Sequence, residues 1–184
     1  MKIAFATGNK NKVKEINFAL KDTNINIIQK NIDLDEPRSE SLKKIAIAKA
    51  KQAQKELKIP VIVEDSGLFI KNLNDFPGTF SKWVFDKIKD EGIINLMADF
   101  KERSAIFKAV IVYSAPGEKP IVFEGKIEGK ISSLIRGKGG FGFDPIFIPK
   151  NETQTWAKNP NLKANSSHRK QAIDKFVIWA KESL

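Results

Sequence analysis

The stretch Lys2-Ile3-Ala4-Phe5-Ala6-Thr7-Gly8-Asn9-Lys10-Asn11-Lys12 decides the fold class. Residues 2–7 form an apolar run of strand length, and 8–12 read as a turn. Val13, Ile16 and Leu20 then follow at helical spacing. Residues 25–34 repeat the strand pattern and end in Asp33-Leu34-Asp35-Glu36, where Pro37 stops them. Ser39 is placed to cap a helix whose inner face is Leu42, Ile45, Ala46, Ala50, Ala53 and Leu57. Pro60 closes that helix ahead of a third strand, Val61-Ile62-Val63-Glu64-Asp65. Strands alternating with helices predict βαβ units and a largely parallel sheet.

Further along, the pattern changes. Pro77-Gly78 reads as a turn, and Thr79 as the cap of a helix burying Phe80, Trp83, Val84 and Ile88. Residues 93–100 read as another helix. Residues 103–114 and 120–133 are strand-like and joined by a short Pro-Gly loop, which predicts an antiparallel hairpin. A glycine-rich loop over 137–142 precedes Phe143-Asp144-Pro145. A closing helix starts near Ser166, with Ile173, Phe176, Val177, Ala180 and Leu184 on its inner stripe. The fold class is α/β.

Composition sets outer bounds. Apolar residues make up 41% of the 184, enough for a real core in a single domain spanning 1–184. The absence of cysteine excludes disulfides, thiol nucleophiles and thiolate-bound zinc, and fits a cytoplasmic setting. The apolar run at 3–6 is too short for a signal peptide, and no run reaches the ~20 residues a membrane span needs. A net charge of +10 favours an anionic partner without choosing among nucleotide, nucleic acid and membrane surface.

Four stretches carry chemistry. Thr7, Gly8, Asn9, Lys10, Asn11 and Lys12 lie between a strand and a helix, where backbone N–H groups and a positive helix end suit a phosphate. Alone, the stretch also fits an ordinary βα turn, and it lacks the Walker spacing. Glu64-Asp65-Ser66-Gly67 ends an apolar strand, and Asp33, Asp35 and Glu36 end its neighbour. Together these carboxylates suit a hard cation at the sheet's carboxyl edge; singly they suit helix caps. The lone histidine, in Ser167-His168-Arg169, cannot build a zinc site or a Ser-His-Asp triad, but His168 and Arg169 offer donors to an acceptor-rich ligand. Gly139-Gly140-Phe141-Gly142-Phe143-Asp144 lets a backbone approach a flat ligand, on which an exposed Phe could stack. Such aromatics are equally at home in a core.

Taken together and in order, these stretches resemble the inosine triphosphate pyrophosphatases, or Ham1-like family. The matching text is Thr-Gly-Asn-Lys-Asn-Lys at 7–12, Asp-Leu-Asp-Glu at 33–36, Val-Glu-Asp-Ser-Gly-Leu at 63–68, Phe-Pro-Gly-Thr-Phe-Ser-Lys-Trp at 76–83, Gly-Phe-Gly-Phe-Asp-Pro-Ile-Phe at 140–147 and Ser-His-Arg at 167–169. The resemblance implies an elongated two-lobed α/β fold with a central mixed sheet, an active-site cleft between the lobes and a homodimer. It implies hydrolysis of ITP, dITP and XTP to monophosphate and pyrophosphate, which cleanses the nucleotide pool. By position, 7–12 would cradle the triphosphate, with Lys49 and Lys82 reaching phosphates. Glu36 and Asp65 would hold magnesium, with manganese as an alternative. Asp65 would be the general base and Ser66 a substrate contact. Phe141, Gly142, Phe143 and Asp144 would line the base pocket, with Phe143 stacking. Lys163, His168 and Arg169 would touch the nucleotide, the last two at the base edge.

The chain departs from the family's text in four places. Pro37-Arg38 follows Glu36, Phe80 replaces a common Tyr, Lys158 follows Thr155-Trp156-Ala157 where an acidic residue is usual, and Asn165-Ser166 precedes Ser-His-Arg. Two rivals remain at this level. A basic nucleic-acid module has the charge in its favour, but no helix-turn-helix, zinc or RRM signature. A Maf-type nucleotide pyrophosphatase would lack the Ser-His-Arg helix and the Gly-Phe-Asp-Pro loop.

Overall fold

A computed structural model describes residues 2–183. Leu184, expected on the last helix's inner stripe, therefore lies outside the described residues. The elements run β1 (Lys2–Ala6), α1 (Lys10–Leu20), β2 (Asn26–Lys30), α2 (Leu42–Leu57), β3 (Val61–Ile70), β4 (Pro77–Gly78), α3 (Ser81–Leu96), β5 (Ser104–Ser114), β6 (Ile121–Ile131), β7 (Phe147–Pro149), α4 (Pro160–Ser166) and α5 (His168–Ser183). The sheet order is β2-β1-β3-β5-β6-β7, with β4 paired to β3. Strand β1 pairs in parallel with β2 and β3, while β3–β4 and β6–β7 pair antiparallel. The sheet is mixed, and the chain is α/β as expected.

The chain divides into two compact units, each discontinuous: Met1–Asp65, Ala109–Gly125 and Arg169–Leu184 in the first, Ser66–Lys108 and Lys126–His168 in the second. Each has its own core. The first packs α1 and α5 onto the sheet through Ile3, Phe5, Ile16, Leu20, Ile111, Ile173 and Phe176. The second gathers Leu68, Val84, Ile93, Phe107, Phe143, Phe147 and Trp156.

Several boundaries differ from the expected ones, each for a local reason. Helix α1 begins at Lys10 because the Asn9 side chain caps it, accepting from the Asn11 and Lys12 N–H groups at 2.9 and 3.3 Å. Ser41, two residues beyond Ser39, caps α2. Strand β2 ends at Lys30, so residues 31–36 carry their acidic side chains on irregular backbone. Strand β3 runs five residues past Asp65 because β4, the expected Pro-Gly turn, pairs with its second half. The first half of the segment 93–100 is the continuation of α3, which ends at Leu96. Asn159, with Pro160 behind it, caps the unexpected short helix α4.

Helix α3 corrects one expectation outright. Phe80 and Trp83 are 50% and 63% exposed; Ser81 is buried in their place, while Val84 faces inward as expected. Ser81 sets this rotation: its hydroxyl donates to the Gly78 carbonyl at 2.7 Å and accepts the Leu68 N–H at 2.8 Å. The helix is kinked at Lys89, whose φ of 56° and ψ of −161° lie in a region open mainly to glycine. The kink is followed directly by the buried Asp90, whose Oδ1 has no hydrogen-bond partner.

A Cβ on Gly67 would sit 2.2 Å from the Gly78 carbonyl oxygen, so this motif glycine serves the close approach of β4. Gly67→Ala should cost about 1–3 kcal/mol in urea denaturation; an unchanged midpoint would contradict that role. Burial, with Glu91 and Asp144 adding repulsion, pushes the Asp90 carboxyl up from its ordinary 3.8 to about 7. The folded state therefore holds more protons than the unfolded chain between those values, and stability falls as pH rises through that window. Asp90→Asn should flatten this part of the stability–pH curve, and an unaltered slope would rule Asp90 out as its source.

Candidate active site

In the first unit, the middle of β3 presents two adjacent carboxylates with different partners. Glu64 is buried, and its carboxylate takes the Lys12 ammonium at 2.7 Å and the Arg169 Nε at 3.1 Å. Lys12 also donates to the Glu64 carbonyl at 3.0 Å. Arg169 reaches Glu15 through Nη1. Burial works against the Arg169 charge, and Glu64 and Glu15 outweigh it, so its pKa is raised. Expected at a base edge, Arg169 instead donates from two of its three nitrogens to carboxylates of its own unit.

Asp65 meets a different group. The Lys49 ammonium, on α2, lies 3.2 Å from Asp65 Oδ2 and 2.5 Å from Glu36 Oε1. Thus Glu36 and Asp65 converge on a single cation, as two ligands of one ion would. Asp35 turns elsewhere: its N–H donates to Gln52 Oε1 at 2.9 Å. Burial pushes the Asp65 carboxyl up; Lys12 and Lys49 pull it down, and Glu64 and Glu36 push again, for a net rise. Burial opposes the Lys49 charge, and the carboxylates of Asp65 and Glu36 reverse this, so its pKa also rises.

The turn at 7–12 is more self-satisfied than a bare βα turn. The Thr7 hydroxyl accepts the Asn9 N–H at 3.1 Å, and the Asn9 side chain takes those of Asn11 and Lys12. Gly8 is exposed, and a Cβ there would meet Asn31 Oδ1 at 2.7 Å. Lys10 projects from an exposed position, so the lysine that this turn fixes in place is Lys12.

The second unit holds the remaining expected residues. Asp144 is 2% exposed, and its Oδ2 accepts the Phe141 N–H at 2.8 Å and the Lys163 ammonium at 2.7 Å. Lys163 stands 3.9 Å from the centre of the Phe141 ring. Phe143, expected to stack on a base, is instead 3% exposed and edge-on to Phe85, with centroids 5.2 Å apart; Phe141 is the half-buried ring. The loop glycines answer to the protein's own backbone. Cβ atoms on Gly137 and Gly139 would strike Ala157, and one on Gly140 would strike the Asp144 carboxylate. Gly142, with φ near +60°, is needed for its backbone angle alone. His168 is buried and stacked on Phe107 at 4.8 Å and Trp156 at 5.6 Å. Ser66 is half-buried. Lys82 is exposed and paired with Asp86 at 2.8 Å.

Three groups went unnoticed in the sequence: Glu15, Asp90 and Trp156. Glu15 looks like ordinary helix surface, and only the fold brings Arg169 to it.

The chain is similar to known proteins over nearly its whole length. The Ham1 family model matches residues 3–179. The chain is 43% identical to a dITP/XTP pyrophosphatase of Methanopyrus kandleri, covering 100% of this chain and 98% of that protein. It is also 43% identical to one from Methanosarcina mazei, over 97% and 96%. Among solved structures, a HAM1 protein from Coxiella burnetii superposes with a TM-score of 0.88 at 32% identity, and the Staphylococcus aureus Ham1 protein with 0.87 at 29%, each covering 100% of both chains. This chain is a member of the Ham1 family.

Proposed function

We propose that this protein is a nucleoside triphosphate pyrophosphohydrolase that converts purine triphosphates carrying hypoxanthine or xanthine to the monophosphate and pyrophosphate. The observation that carries the reading is the convergence of Glu36 and Asp65 on one cation, beside the lysine-bound Glu64. Family membership and relatives named dITP/XTP pyrophosphatase support it.

A triphosphate brings about four negative charges near neutral pH, and Lys12 and Lys49 supply fixed positive charge in the first unit. The donor set of Glu36 and Asp65 fits a hard dication that takes its other ligands from water and phosphate. When bound there, magnesium, or manganese in its place, would offset phosphate charge and polarise the reacting phosphoryl group. Asp65, with its raised pKa, receives the proton of the attacking water. A new oxygen–phosphorus bond forms at the α-phosphate as the bond to the bridging oxygen breaks, and pyrophosphate leaves. Lys49, which holds Asp65 and Glu36 in the free protein, exchanges those carboxylates for phosphate oxygens.

In the second unit Lys163 and His168 supply donors for a keto oxygen at C6, and Phe141 supplies a ring face. Adenine's amino group there would leave buried donors unpaired at about 1–3 kcal/mol each. Since Arg169 is engaged by Glu15 and Glu64, its part in the reaction is to hold the carboxylate beside Asp65. A homodimer in the cytoplasm completes the reading. The exposed Phe80 and Trp83 offer apolar surface that a second copy would cover, and no described helix is long and apolar enough to cross a membrane.

Asp65→Asn tests the assignment. It should lower kcat for pyrophosphate release from ITP by at least about a hundred-fold while leaving the melting temperature unchanged. Undiminished turnover in that variant would remove Asp65 from the chemistry.

A further inference from the structure

Lys49 stands between the two carboxylates that the proposed function gives to a metal. Its ammonium lies 2.5 Å from Glu36 Oε1 and 3.2 Å from Asp65 Oδ2. The side chain springs from the middle of α2 and is only 12% exposed, whereas that of Glu36 is 66% exposed. An ammonium so enclosed needs an anionic partner, because little water reaches it.

The protein offers a metal little besides these two groups. Among the described residues, no three His, Cys, Asp or Glu side chains are grouped so as to hold a metal ion. Glu64, next to Asp65 in sequence, is already held by Lys12 at 2.7 Å and by Arg169 at 3.1 Å. A dication at Glu36 and Asp65 therefore has to compete with the ammonium for both of them. Seated there without phosphate, it would leave Lys49 facing it and deprived of its partners. Like charges a few ångströms apart repel, and an enclosed charge stripped of its partner is costly. A triphosphate lifts both obstacles at once, since its oxygens serve as ligands of the ion and as partners of the ammonium.

We infer that Lys49 makes the binding of a divalent ion at Glu36 and Asp65 conditional on the triphosphate, so that the protein favours the ion–nucleotide complex over the ion alone. The inference rests on the purine triphosphate reading and adds a coupling to it. In the protein by itself, Lys49 offsets carboxylate charge and holds the pair together. With substrate bound, the same ammonium turns to the phosphate chain and releases the pair.

Manganese binding without nucleotide, followed by loss of the free ion's electron paramagnetic resonance signal, reads this coupling. Lys49→Gln removes the charge and keeps a polar side chain; Lys49→Met removes it and keeps the aliphatic stem. Each should bind the ion at least about ten-fold more tightly than the wild type does. Lys49→Arg retains the charge and should bind it as weakly as the wild type. Adding Glu36→Gln to either neutral variant should abolish the gain, which assigns the measured ion to this pair. A non-hydrolysable ITP analogue should tighten manganese binding about ten-fold more in the wild type than in the neutral variants, after allowance for ion held by free analogue. Neutral variants with wild-type manganese affinity, Lys49→Arg binding as tightly as they do, a gain that survives loss of Glu36, or an equal effect of the analogue would overturn the inference. A wild type that releases no pyrophosphate from ITP with manganese present would fail the broader reading instead and leave the nucleotide-free comparison standing.

Discussion

Glu64 puts a buried carboxylate in the middle of β3, its side chain 1% exposed. An ion so placed is tolerable only when fully paired, because desolvation costs several kcal/mol on the order of the Coulomb energy regained. Lys12 from the first turn of α1 and Arg169 from the first turn of α5 provide that pairing, and Arg169 brings in Glu15 as well. One charge cluster therefore binds the middle of a central strand to the starts of two helices within the first unit. It also fixes Lys12 and, with it, the turn at 7–12. Asp65, next along a strand whose side chains alternate in direction, faces different company: Lys49 and, through it, Glu36. Two neighbouring carboxylates thus acquire separate duties from their surroundings, one bound up in structure and the other poised for chemistry.

Much of the fold was legible because local signals sufficed. The alternation of apolar strands and amphipathic helices announced β1 to β3, and Asn9 and Pro60 marked turns that need no distant partner. What local signals missed was anything that a remote contact decides. Thr79 looked like a cap and Phe80 and Trp83 like core. Yet the hydroxyl of Ser81, held by Leu68 and Gly78, rotates α3 so that those rings face outward. Pro77-Gly78 read as a turn because nothing nearby reveals that β3 continues far enough to pair with it.

The same division governs the site. That carboxylates gather at 33–36 and 64–65 was visible, although neither group ends a strand; Glu36 and Asp65 do meet at Lys49, whereas Asp35 is drawn off by Gln52. Which carboxylate Arg169 would choose was not visible, since Glu64 and Glu15 lie 105 and 154 residues away in sequence. In the second unit the Gly-Phe-Gly-Phe-Asp stretch was recognisable, but the roles of its rings were not. Phe143 enters the core edge-on to Phe85, from a helix whose rotation was itself misread, while Phe141 stays half-buried beside Lys163. Trp156 and Asp90 carry no motif at all; only the accounting of buried polar atoms exposes them.

The account stands on Asp65 and its neighbours directing water to the α-phosphorus. The most direct test is hydrolysis of ITP in water enriched in heavy oxygen, with mass analysis of both products. The account predicts label in the inosine monophosphate and none in the pyrophosphate. Label in the pyrophosphate, or release of single phosphates, would contradict it.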